Sequence, residues 1–260
     1  MEKLTIVIPA YNEERRIGRT LDAYSEYFEN LRKEEKLDYE ILIVINGTTD
    51  TTAKVIEGRQ KNNSRIRYFE LKEGDKGNAV IRGMKDGLEN GSDLVGFVDA
   101  DLATPPEAFY WLVEGIENTD VAIACRWMKE SKIKRQSLIR KINSVGFNFV
   151  VRSLLHLKYR DTQCGAKIFK KNALASVIDE IGTTRWAFDV DLLYRLEKKK
   201  FKVVEVKTIW RDMAGSNINL IKTPFQMFSS IVRLRFVYSP FNFVVRAYDL
   251  LPAKLKVDNL

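Results

Sequence analysis

Four times in its first hundred or so residues the chain places a short apolar run before a segment with helical spacing. Residues 4–9 (LTIVIP), 39–45 (YEILIVI), 65–71 (RIRYFEL) and 94–98 (LVGFV) are too short for buried helices and read as strands. Between them lie the helical stretches. The first runs to about residue 36, with Ile17, Leu21, Tyr24, Phe28 and Leu31 on one side and Asn12 as the expected N-cap. Residues 51–60 and 79–90 follow. A fourth helix is announced by Thr104 as N-cap, Pro105 at the first helical position and Glu107 at capping-box spacing. Strands that return through helices must run parallel, so the pattern calls for a mostly parallel α/β sheet with helices on both faces.

The second half departs from that rhythm. Residues 121–125 are a further strand ending at Arg126, and the polar, basic residues 131–140 read as a loop. Residues 138–157 form a long apolar helix containing few acids. A strand is expected at 166–169, helices at 172–181 and within 183–197, and an edge strand at 202–206. The tail, 223–256, reads as two amphipathic segments split by Pro240 and rich in phenylalanine and arginine. The expected division is a catalytic-type domain over 1–222 and a helical docking tail over 223–260. No internal repeat or low-complexity linker interrupts the 260 residues.

The strand at 94–98 runs straight into two carboxylates, Asp99 and Asp101. Ligands of open α/β sheets bind outside such strand ends. Hard cations such as Mg²⁺ or Mn²⁺ take one or two carboxylates together with phosphate oxygens. A lone D-x-D triplet is as compatible with a solvated turn, so its neighbours matter. The single histidine, His156, and two cysteines, Cys125 and Cys164, rule out histidine-based triads and Cys/His metal clusters, leaving acid–base work to carboxylates. A net charge of +8 favours anionic partners. No nucleic-acid-binding motif accompanies it, so nucleic acid is not expected. No apolar run has the length of a membrane span, and the first residues lead directly into a strand, so neither a signal peptide nor a membrane-spanning helix is expected.

Taken together, PAYNEE (9–14), GDKGNAV (74–80) and DADL before TPPE (99–107) resemble the inverting family-2 glycosyltransferases with the Rossmann-like GT-A fold. RDTQCGAKIF (160–169) and RWAFDVDLLY (185–194) are similar to the branch of dolichyl-phosphate β-glucosyltransferases and mannose synthases. The resemblance implies transfer of a hexose from a nucleoside-diphosphate sugar to a polyprenyl phosphate such as dolichyl phosphate, at the cytoplasmic membrane face. It implies that Pro9, Ala10, Tyr11 and Glu13 line the nucleotide, and that Lys76 adds a point charge. Asp99 and Asp101 would hold Mg²⁺ or Mn²⁺, and Arg126 would meet phosphate. Gln163, with Thr162 and Gly165, would shape the acceptor side; Arg185 and Trp186 would grip acceptor phosphate or sugar, and Ser216 would close over the diphosphate. The family's usual acid pair at the second strand end is replaced by Ile45 and Asn46, leaving the Asn46 amide or the backbone to meet the base.

Asp189 and Asp191 occupy the region where relatives acting on hydroxyls carry a general base; a phosphate acceptor, already ionised, needs little help of that kind. A saccharide hydroxyl acceptor therefore stays open as an alternative. So does a non-catalytic partner that binds sugar nucleotide. The apolar helix and the tail suggest membrane-surface docking; packing on each other or on a second subunit is the competing reading.

Overall fold

A computed structural model describes residues 1–72, 75–134, 138–181, 187–211, 222–240 and 242–243, with the side chains of 138–140, 142–143 and 222–227 excepted. Strand β1 (Lys3–Ala10) leads to helix α1 (Ile17–Lys33), β2 (Asp38–Asn46) to α2 (Thr52–Gln60), and β3 (Ile66–Leu71) to α3 (Lys76–Glu89). Then come β4 (Leu94–Val98), α4 (Pro106–Gly115), β5 (Val121–Cys125), the short β6 (Lys132–Lys134) and α5 (Leu138–Leu155). The chain continues through β7 (Ala166–Lys170), α6 (Lys171–Val177), α7 (Phe188–Lys198), β8 (Val203–Lys207), β9 (Ile209–Arg211) and α8 (Lys222–Val237).

The main sheet has the order β3-β2-β1-β4-β7-β5-β8. All its pairings are parallel except the two made by β7, which runs against both β4 and β5. Helices cover both faces. On one, Leu21, Tyr24 and Phe28 of α1 and Phe109 of α4 bury against Ile6, Ile8 and Ile43. On the other, α3, α6 and α7 cover Val7, Val44, Phe97 and Phe169. Glycine inside α3 is explained by this contact: a Cβ at Gly83 would lie 2.4 Å from Val7 Cγ1, so only glycine lets the helix approach the sheet so closely.

Several boundaries differ from those expected. Helix α3 begins at Lys76, three residues early, because Asp75 caps it by accepting from the backbone N–H groups of Gly77 and Asn78. Asn12 does not cap α1, whose first turn starts only at Ile17. Helix α4 starts one residue late, with Pro105 at the cap and Pro106 at the first helical position, so Thr104 makes no capping box. Residues 132–134, expected in a loop, pair in parallel with β9 in a small second sheet.

The two apolar helices of the second half pack together. Val151 and Leu155 of α5 share one buried cluster with Ile231 and Leu234 of α8. Their outer side keeps Val145, Phe149, Phe228, Phe236 and Val237 exposed, and Phe243 follows. Tyr238, just past α8, donates to Asp191 Oδ1 and stacks near Tyr194, tying the helix end to α7. Among the described residues no helix is long and apolar enough to cross a membrane.

Candidate active site

The sheet turns the chain around at β1. From β1 the chain goes outward to β2 and β3, then returns to place β4 on the other side of β1. The carboxyl ends of β1 and β4 therefore open a crevice, the usual ligand site of such sheets. Pro9 and Ala10 close β1 in register with Val44 and Ile45, and Tyr11 stands on the rim, 49% exposed.

Asn12 has a left-handed backbone (φ 53°), which asparagine tolerates better than most residues. Its Oδ1 accepts from the Thr49 N–H at 2.9 Å, while the N–H of Glu13 donates to Thr52 Oγ1 at 2.8 Å. Thr51 and Asp50 bind Glu14 in turn. The loop after β1 is thus stitched to the loop after β2, which fixes one wall of the crevice. At its base Asn46 is buried, and its Oδ1 has no partner.

Strand β4 stops at Val98, so Asp99 and Asp101 lie in the turn beyond it rather than on one strand face. Other contacts hold that turn. Thr20 Oγ1 donates to the Ala100 carbonyl at 2.7 Å, the Ala103 N–H donates to Asp101 Oδ1 at 3.0 Å, and Tyr24 Oη donates to the Thr104 carbonyl at 3.0 Å. The Arg211 N–H of β9 donates to the Ala103 carbonyl. Leu102 adopts φ 60°, a conformation that costs a branched side chain about 1–2 kcal/mol and is kept only where the surroundings enforce it. Burial and the neighbouring Asp99 charge hold the Asp101 carboxyl above the ordinary aspartate range. Glu13 is raised mainly by burial, against the opposing pull of Arg16, with smaller contributions from Asp101 and Asp99. Asp99, Asp101 and Glu13 therefore lie close enough to feel one another's charge.

Lys76 in the first turn of α3 donates to Asp99 Oδ1. Asp99's other oxygen lies against Gly165: a Cβ there would sit 2.0 Å from Asp99 Oδ2. Only glycine fits.

The acceptor-side motif lies between β5 and β7. Arg126 is almost enclosed. Its Nε and Nη2 donate to Asp161 at 2.7 and 2.8 Å, and its backbone N–H donates to Asp161 at 3.0 Å. The guanidinium also lies near the Trp127 and Trp210 rings, 5.7 and 5.5 Å from their centroids. Thr162 is buried on Asn148, and Gln163 Nε2 is buried without a partner. Cys164 is packed and inert: burial, with a smaller push from Asp161, raises its thiol to about 12.

Asp189 and Asp191 sit two apart on α7, so their side chains diverge. Asp189 accepts from buried Lys167 at 2.6 Å, and Lys167 also donates to the Cys164 carbonyl. Burial raises the Asp189 carboxyl, offset by Lys167 and Lys76. Asp191 instead accepts from Arg195 at 2.8 Å and from Tyr238. The crevice thus brings together Pro9, Ala10, Tyr11, Glu13, Asn46, Lys76, Asp99 and Asp101, with Arg126, Gln163 and Asp189 along its β7 side; Asp191 is turned away. Arg185, Trp186 and Ser216 lie outside the described residues. The structure adds Thr20, Tyr24, Asp161 and Lys167 to the site residues expected from the sequence. The one signal for them was Lys167 itself, a cation inside an apolar strand, which demands a buried partner.

A Rossmann-like sheet with a D-x-D turn at its switch point defines a nucleotide-sugar-type transferase architecture. The family model described as Glycosyl transferase family 2 matches residues 5–178. A dolichyl-phosphate beta-glucosyltransferase of Dictyostelium discoideum is 33% identical over 246 residues, spanning 90% of this chain and 74% of that protein. The human protein of the same name is 30% identical over 249 residues, spanning 91% and 76%. A Mycobacterium tuberculosis glucosyl-3-phosphoglycerate synthase, crystallised with Mn²⁺, UDP and glucosyl-3-phosphoglycerate, superposes with a TM-score of 0.64 at 18% identity, over 90% of this chain and 79% of that one. The fold is GT-A. The chain belongs to glycosyl transferase family 2 and is a glycosyltransferase.

Proposed function

We propose that the protein moves glucose from UDP-glucose to dolichyl phosphate, or a closely related polyprenyl phosphate, with inversion at the anomeric carbon. The relatives' names supply sugar and acceptor, and the mycobacterial complex supplies the nucleotide. The observation that carries the acceptor assignment is the Asp189–Lys167 pair. The one acid of α7 that faces the crevice already accepts from a buried ammonium. A hydroxyl acceptor needs a free base; an ionised phosphate does not.

The donor set suits a hard divalent cation, Mg²⁺ or Mn²⁺: two carboxylate groups with excess negative charge, opening toward where a diphosphate would lie. Asp99 and Asp101 would hold it. The ion would neutralise charge on the departing diphosphate. This chain's own residues do the rest. Asn46, with its unpartnered oxygen, would accept from an imino N–H of the base, and Tyr11, Pro9, Ala10 and Glu13 would enclose the nucleoside. Arg126, held rigid by Asp161, supplies fixed positive charge toward phosphate, and Gln163 offers its spare donor to the acceptor. Such preorganised charge does most of the work when no proton needs moving.

A second reading has one observation in its favour. The raised Asp189 carboxyl would suit a base acting on a saccharide hydroxyl. The two separate cleanly in an acceptor assay with UDP-glucose and Mn²⁺. Product from polyprenyl phosphate and none from polyprenol or oligosaccharide supports the proposal; the reverse overturns it.

For docking, residues 223–260 and the exposed aromatic side of α5 and α8 would rest on the cytoplasmic membrane surface that holds the acceptor. Phe149, 70% exposed, and Phe243, 61% exposed, are the side chains that would enter the interface.

A further inference from the structure

The crevice contains a cation of its own. Lys76 Nζ sits on Asp99, one of the two acids suited to a divalent ion. Its aliphatic stem is not locked in place, since 42% of the side-chain surface stays exposed. Asp99 has little freedom to move aside, with one oxygen on Lys76 and the other against Gly165. Among the described residues no group of three metal-type ligands exists, so what they offer a metal at this rim is two carboxylates. One of those is shared with an attached ammonium.

Charge balance sets the consequence. Asp99, Asp101 and Lys76 together carry one net negative charge. A divalent ion added alone would leave the ammonium and the ion competing for Asp99. A nucleoside diphosphate added with it brings about two to three negative charges and a new place for the ammonium. We infer that Lys76 is a tethered counter-ion that occupies Asp99 until metal and diphosphate arrive together, so that the two bind with strong positive coupling. The inference rests on the metal-dependent reading above and adds to it an order of events: the free enzyme holds metal weakly, and the nucleotide strengthens metal binding by drawing Lys76 away. By linkage, metal must strengthen nucleotide binding by the same factor.

The test is Mn²⁺ binding to the full chain, without turnover, followed by electron paramagnetic resonance and calorimetry with and without UDP. Wild type should bind Mn²⁺ at least about 10-fold more tightly with saturating UDP, within the usual range of coupling factors. In Lys76→Gln, Mn²⁺ alone should bind about 5-fold or more tighter than in wild type, and the UDP-dependent gain should shrink. Lys76→Arg, which keeps the charge, should stay near wild type; the exposed stem makes both variants compatible with folding, which a thermal melt verifies. Unchanged or weaker Mn²⁺ binding by Lys76→Gln without UDP, alongside intact coupling in wild type, overturns the counter-ion role and leaves the metal reading standing. Wild-type protein that binds neither Mn²⁺ nor UDP overturns both.

Discussion

At the scale of single residues, Asp101 and Gly165 make the sharpest predictions. Asp101→Ala should lower the transfer rate by at least about 10²–10³-fold, the cost of removing one aimed electrostatic group. Its melting temperature should hardly change, because the lost part-buried hydrogen bond to the Ala103 N–H is offset by removing a desolvated carboxylate and its repulsion with Asp99. A single-turnover assay beside a thermal melt checks both halves. Gly165→Ala changes no charge, yet its methyl would collide with the Asp99 carboxylate at 2.0 Å. The expected outcome is a loss of Mn²⁺–UDP affinity of about 10-fold or more, measured calorimetrically, at a stability cost of about 1–3 kcal/mol. Much of this site was legible beforehand. Asp99, Asp101, Lys76 and Glu13 stand in runs whose residue types and spacing announce phosphate and cation chemistry. Thr20 and Tyr24 were not legible: a threonine and a tyrosine on the apolar side of a helix look like core, and only the fold brings them to the Ala100 and Thr104 carbonyls.

Among the elements, the loop before β7 depends on one ion pair. Asp161 is fully buried and accepts three hydrogen bonds from Arg126. Burial alone would raise its carboxyl, but Arg126 overrides that and holds it below the ordinary aspartate value. The sign follows: a lowered folded-state value means the stabilisation is complete above the unfolded value of about 3.9 and fades as pH falls through the folded one. Asp161→Asn should therefore destabilise by about 3–5 kcal/mol at pH 7, the cost of breaking a buried pair. In urea denaturation the gap from wild type should narrow steadily below about pH 4. Element order was readable in the first half, where the spacing alternates between two periods. Boundaries were less so. Asp75 starts α3 early because an aspartate side chain can reach two backbone N–H groups, and nothing in the apolar pattern records that. The β6–β9 pair is not legible in the sequence, since three-residue strands are too short to show a period.

For the whole molecule, the decisive surface is the outer side of α5 and α8. Of the competing readings of these helices, packing on each other is what the structure shows. Their inner sides close the core through Val151, Leu155, Ile231 and Leu234, while their outer sides leave Phe149 and Phe236 in the open. Cutting off α8 would therefore expose core, so a point change is the better probe. Phe149→Glu in the full chain should reduce flotation with anionic vesicles by about 10-fold, since burying a phenylalanine is worth about 1.5–3 kcal/mol. Activity on a short water-soluble polyprenyl phosphate should persist. Equal flotation of both proteins would point to another docking surface.

The reversed course of β7 has a consequence for anyone recombining this enzyme. A strand running opposite to its neighbours begins where they finish, so residues 161–165 reach the same rim as the turn after β4 although more than sixty positions separate them. Chimaeras spliced between relatives anywhere from 102 to 160 would draw Asp99 and Gly165 from different parents. Such grafts should work only when both donors carry glycine opposite the aspartate, which makes the two positions one heritable unit despite their distance along the gene.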